Sequence, residues 1–116
     1  MGIMMAQMAN KKKNGKRFVI VGNEKYGLYF GETSATDAEV AKTHSLRLDS
    51  CRHICRWYGK TGGITSLAAF GPCGSQAGES RIGAPAPSQL LTGVVNVIDC
   101  SDEAVAAFAK VQARDA

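Results

Sequence analysis

Much of what this chain could be is set aside by what it lacks. Its 116 residues contain no run of 18 or more apolar side chains, so no membrane-spanning helix and no membrane partner are expected. The apolar stretch Ile3 to Ala6 is too short for a signal h-region and the charges follow it instead of preceding it, which argues against a secretory leader. Alanine at position 6 departs from the myristoylation pattern, which needs Ser or Thr there. There is no HExxH, Walker A sequence, GxSxG or paired-carboxylate pattern, so no catalytic residues, no conventional enzyme and no cofactor are expected. Neither a solenoid-length repeat nor a heptad pattern is present.

What is present suits one small basic domain. A hydrophobic content of 45% over 116 residues is enough for one core and too little for two. The formal charge is +4, and much of that excess lies in "KKKNGKR", Lys11 to Arg17, which leaves the rest of the chain nearer neutral. Contact with nucleic acid is therefore open only through Lys11, Lys12, Lys13, Lys16 and Arg17. We divide the chain into a flexible basic tail over 1–16, a single domain over 17–112 and a frayed end over 113–116.

Along the domain, "RFVIV" and "LYFG" are rich in β-branched and aromatic residues and flank the turn-forming "GNEKYG", which predicts a hairpin of Phe18–Val21 with Leu28–Gly31. "ETSATDAEVAKTHS" lacks a sustained apolar face and reads as a loop with one helical turn at Asp37 to Lys42. "LRLDSCRHICRWYG" resumes strand character. "ITSLAAF" predicts a short helix stopped by Gly71-Pro72. The Gly/Pro/Ser-rich stretch that follows has room for no more than a short edge strand near Arg81 to Ala84, since Pro85 and Pro87 cannot donate to a ladder. "LLTGVVNVIDC" predicts one buried strand, and "SDEAVAAFAKVQ" a helix with Ser101 as N-cap, Asp102 and Glu103 in its first turn and a stripe of Val105, Phe108 and Val111. The fold class is thus α+β: a small antiparallel sheet of about four to five strands, one short internal helix, and a C-terminal helix packed on the sheet.

The densest chemistry lies in "CRHICRWYGKTGG", Cys51 to Gly63. Strand alternation puts Cys51, His53, Cys55 and Trp57 on one face, and Arg52, Ile54, Arg56 and Tyr58 on the other. Arginine forks, stacking aromatics and a glycine turn before a helix start are the ingredients of an anion pocket, which would comprise Arg52, Arg56, Trp57, Tyr58, Lys60, Thr61, Gly62 and Gly63. Solvated strand arginines followed by a plain turn would give the same pattern. A zinc set of Cys51, His53, Cys55 and Cys73, or Cys100 in place of Cys73, is the weaker alternative, because the spacing is not that of a zinc knuckle. Buried cysteines acting as small hydrophobes are the plainer explanation, and disulfides are not expected in a reducing compartment. A Cys51 or Cys55 nucleophile beside His53 has no acidic orienter apart from Asp49.

In its order of features, the "RFVIV" strand, "GLYFGE", "CRHICRWYG" running into "GGITSLAAFG", and "LLTGVVNVIDCSDEA", the chain resembles a family of small tailed-phage and prophage proteins of unknown function over about residues 17 to 111. The resemblance implies a phage gene expressed in a bacterial cytoplasm and brings no activity with it. On that footing the expected function is a non-enzymatic binding protein acting in the host cell, which sequesters a phosphate-bearing, nucleotide-like ligand or antagonises a host defence protein. Its pocket would be completed in a homo-oligomer, since so small a domain has little room for a private cleft. The alternative is a virion decoration or connector protein that uses the basic N-terminal tail as an arm.

Overall fold

Arg17–Asn23 (β1) and Gly27–Thr33 (β2) form the expected hairpin, with Val19 opposite Gly31 and Val21 opposite Tyr29. In the computed structural model, which describes residues 15–25, 27–59 and 63–113, this hairpin is the centre of a six-stranded antiparallel sheet. The other strands are Ser45–Arg56 (β3), Arg81–Ile82 (β4), Ala86–Thr92 (β5) and Val94–Asp99 (β6). The order is β4-β3-β2-β1-β6, and β5 also pairs with β3. The α+β class holds, and the strands among the described residues number six, slightly more than expected.

The extra strand comes from "LLTGVVNVIDC", which is two strands and not one. Gly93, at φ +64°, breaks the segment so that β5 runs along the first half of β3 while β6 runs along β1. The corner is tied to both neighbours, because the Val94 N–H donates to His44 O at 3.0 Å and the Glu24 N–H to Gly93 O at 3.0 Å. Pro87 lies inside β5, where it faces the irregular step of β3 at Ser50 and removes no bond from a regular ladder.

Among the described residues three α-helices complete the fold. Asp37–Thr43 (α1) is a full helix where one turn was expected. Its missed signal is a capping box: the Thr36 Oγ1 accepts from the Glu39 N–H, and Glu39 Oε1 accepts from the Thr36 N–H at 2.8 Å. Gly63–Phe70 (α2) ends at Gly71, as its sequence indicated. Asp102–Lys110 (α3) starts at Ser101, whose Oγ accepts from the Ala104 N–H at 3.0 Å. Among the described residues no helix is long and apolar enough to cross a membrane.

The curved sheet has an apolar cluster on each face. Val19, Val21, Tyr29, Leu46, Leu48, Cys51, Leu91 and Val94 form the inner cluster, with Val40 of α1 against it. On the other face Ile20, Phe30, Ile54, Ile82 and Cys100 meet Leu67 and Ala68 of α2 and Ala104 and Phe108 of α3. Phe108 is fully buried and stacks on Phe30 with centroids 4.0 Å apart; burying a side chain of that size contributes ~2–3 kcal/mol.

One residue decides which side chains of β3 face each cluster. Ser50 has φ +51°, and the β2 register slips there, with Glu32 opposite Asp49 but Phe30 opposite Arg52. This β-bulge reverses the alternation. Leu46 and Leu48 therefore point to the same inner cluster as Cys51, while Arg52 and Ile54 point to the helices.

Candidate anion-contact face

The alternation expected after Cys51 is present, but the two arginines it groups have different fates. Arg52 is 8% exposed, and burial pushes its guanidinium below its ordinary value. Its Nε donates to Gly83 O at 2.7 Å, Nη1 to Phe108 O at 2.8 Å, and Nη2 to Val111 O at 2.9 Å and Ile82 O at 3.3 Å. A guanidinium has five N–H donors, and four are spent on these backbone carbonyls. Phe108 O and Val111 O lie at the C-terminal end of α3, where the helix dipole favours a cation. Arg52 thus fastens α3 and β4 to β3, and the solvent-facing fork expected of it is not there.

Arg56 is exposed, at the last position of β3. The structure brings it together with a residue that the sequence did not single out: Arg81 of β4, also exposed, is its cross-strand partner. Like charges directly opposite each other on adjacent strands repel. Among the described residues neither arginine makes an ion pair; the pairs found are Lys16 with Asp49 at 2.6 Å, and Arg17 with Asp37 at 2.8 Å and with Asp99 at 2.9 Å. Arg81 had no local signal beyond a basic residue on a short edge strand, since its importance lies in a pairing made across 25 residues of chain (81 − 56).

Trp57 and Tyr58 continue directly from Arg56. Trp57 is half-buried against the helix-side cluster. Tyr58 is held by its backbone: its N–H donates to the buried Ser80 Oγ at 3.1 Å and its C=O accepts from the Cys73 N–H at 3.0 Å. Gly63, exposed and at φ +65°, opens α2. Lys60, Thr61 and Gly62 lie outside the described residues. Of the expected site, Arg56, Trp57, Tyr58 and Gly63 are therefore described and at least partly exposed, Arg52 is withdrawn to the end of α3, and Arg81 joins Arg56 from β4. A cleft of about 380 Å³ lies elsewhere, between the exit of α2 and α3, and is lined by Phe70, Pro72, Cys73, Ala107 and Lys110 among others.

The alternative zinc set does not assemble. Among the described residues no three of His, Cys, Asp and Glu converge on one point. Cys51 is buried in the inner cluster, where burial pushes its thiol up to about 11, and Cys100 on the opposite face is pushed up to about 12 by burial and by the charge of Asp99. His53 and Cys55 are exposed and adjacent, while Cys73 lines the α2–α3 cleft.

The basic tail also divides. Lys11, Lys12 and Lys13 lie outside the described residues. Lys16 is bound to Asp49, whose hydrogen bond and charge raise the ammonium and whose own carboxyl is lowered in return. Arg17 is 9% exposed; burial works against its charge, but the hydrogen bond to Asp37 and the charges of Asp99 and Asp37 outweigh that, and its net shift is upward. With a further bond to Ala35 O at 3.0 Å, Arg17 joins β1 to α1 and β6. It is not a free contact for nucleic acid.

No curated protein and no solved structure matches the chain. A family model does, over residues 16–108, which takes in every strand described above and all but the last two residues of α3. The order of elements just described, from the β1–β2 hairpin through the Arg56–Trp57–Tyr58 segment to α3, is thus carried by a shared domain, and the chain belongs to the family of the domain of unknown function DUF6948.

Proposed function

We propose that this chain is a non-enzymatic binding protein, phage-encoded and acting in a bacterial host, whose Arg56–Arg81 pair contacts an anionic partner. The observation that carries the reading is the pairing itself: two exposed guanidiniums on neighbouring strands, with no acid against either among the described residues. An anion set between them would relieve their repulsion and accept from both forks. Trp57 and Tyr58, fixed by packing and by Ser80 and Cys73, stand beside the pair as surfaces for a ring. An open face of this kind suits a phosphate-bearing, nucleotide-like group or an acidic patch on a host protein better than a small ligand that must be enclosed.

The test is calorimetric titration of the full chain with a panel of nucleoside di- and triphosphates, together with native mass spectrometry of protein purified from bacterial cells. The Arg56→Ala/Arg81→Ala variant is expected to lose binding by at least tenfold, since charge-assisted hydrogen bonds contribute about 1.5–3 kcal/mol each. Removal of residues 1–15 is expected to leave binding unchanged. If the double variant binds like the parent while the truncation abolishes association, the reading fails, and a virion protein that uses its basic arm takes its place.

A further inference from the structure

The inner face of β3 carries a second chemically active pair, on the side away from Arg52. Residues two apart on a strand project to one face, and His53 and Cys55 meet there, with Cys55 Sγ 3.4 Å from His53 Nδ1. Both are exposed. The His53 ring stacks on Tyr29, centroids 4.9 Å apart, which holds its plane. A zinc ion with Zn–S of ~2.3 Å and Zn–N of ~2.0 Å at a tetrahedral angle separates two such donors by roughly 3.5 Å. The pair thus already has the bite of a chelate.

One chain supplies only half of a tetrahedral shell. Among the described residues no third ligand comes near, and Cys51, four positions back along the strand and so roughly 13 Å away, is buried. A twofold axis through the ion would supply the missing half from the same two residues of a second copy, with no further side chain required. We propose that His53 and Cys55 are a half-site for zinc, closed into a Cys₂His₂ centre by a second copy of this chain. On binding, each Cys55 exchanges its S–H proton for a bond to the ion, so two protons are released per ion; each His53 coordinates through the lone pair of Nδ1, and nothing is oxidised or reduced.

The experiment uses the tag-free, reduced full chain, stripped of metal and titrated with Zn²⁺ while mass is followed by light scattering, then repeated with Co²⁺ to read its absorption. The mass is expected to double at one ion per two chains, with Co²⁺ giving thiolate-to-metal charge transfer and tetrahedral d–d bands. Cys55→Ser and His53→Ala should each weaken Zn²⁺ binding at least 100-fold and abolish doubling, with an unchanged far-ultraviolet spectrum, and Cys73→Ser should behave as the parent. A chain that stays monomeric in excess Zn²⁺, binds one ion per chain, or doubles equally well as Cys55→Ser overturns the proposal.

Discussion

Replacing Arg52 by Met tests whether a buried, acid-free arginine holds this fold together. Methionine keeps most of the stem volume and removes four donors, those to Gly83, Ile82, Phe108 and Val111 carbonyls. Phe108 O retains the Val111 N–H as a partner at 3.2 Å, so the change falls mainly on the remaining acceptors. Leaving a buried acceptor unmade costs about 1–3 kcal/mol, and relief from burying a guanidinium returns part of the sum. We expect a net loss of about 3 kcal/mol, a large fraction of the 5–15 kcal/mol typical of a domain. The fall in Tm would then be roughly 12–24 °C, at about 4–8 °C per kcal/mol. Urea unfolding followed by circular dichroism and by Trp57 fluorescence measures the change, and hydrogen exchange should show α3 amides opening first. Arg52→Lys, which keeps the charge but loses the fork, should fall between parent and Met. If Arg52→Met unfolds at the parental midpoint or above it, the carbonyl clamp contributes nothing net and α3 is held by Phe108 and its neighbours alone.

Two further outcomes follow from packing and burial. Above the ordinary thiol value of ~8.5, Cys51 and Cys100 ionise in the unfolded chain but not in the folded one, where burial pushes them up to about 11 and about 12, so stability should fall as pH rises from about 8.5 toward those folded values. At pH 10 the loss is about 2 kcal/mol per thiol, and Cys51→Ala/Cys100→Ala should unfold with no such alkaline slope in a urea series. Gly71 has φ +70°, and a Cβ there would lie 2.7 Å from Ala107 Cβ and 2.9 Å from Ala104 O, so Gly71→Ala should destabilise by about 2–4 kcal/mol through backbone strain and the forced parting of α2 from α3. Gly78→Ala, with open space and no positive φ, is the matched control in thermal melts; a Gly71→Ala variant as stable as that control would refute the close approach.

Local chemistry carried most of the fold. The β1–β2 hairpin, the stop of α2 at Gly71 and the Ser101 cap of α3 were legible because each depends on a few consecutive residues. The capping box at Thr36 and Glu39 is equally local, but α1 buries only Val40, too little to make the apolar stripe that marks a helix in sequence. The candidate site was less legible. Arg52 and Arg56 look alike in sequence, yet one meets the end of α3, more than fifty positions away, and the other meets solvent and Arg81. That difference is made by tertiary packing and by a pairing that no short window contains. His53 and Cys55 could be placed on one face from the strand period alone, but their separation from Cys73 could not.

The left-handed Ser50 gives β3 two addresses. The even-numbered Leu46 and Leu48 before it report on the interior of the curved sheet, and the even-numbered Arg52 and Ile54 after it on the seam beneath the helices, although no loop or break divides them. Straightening that bend with the residue retained would transpose the strand's meaning: a guanidinium would be driven into the cluster of Val19, Tyr29 and Leu48, a thiol would face the end of α3 in its place, and His53 and Cys55 would turn from solvent toward the helices. The left-handed turn of the backbone at this point is therefore as restrictive as the chemistry around it: a β-branched residue at position 50 should be poorly tolerated, whereas loss of Ser50 altogether would leave Cys51 and Arg52 on their present faces.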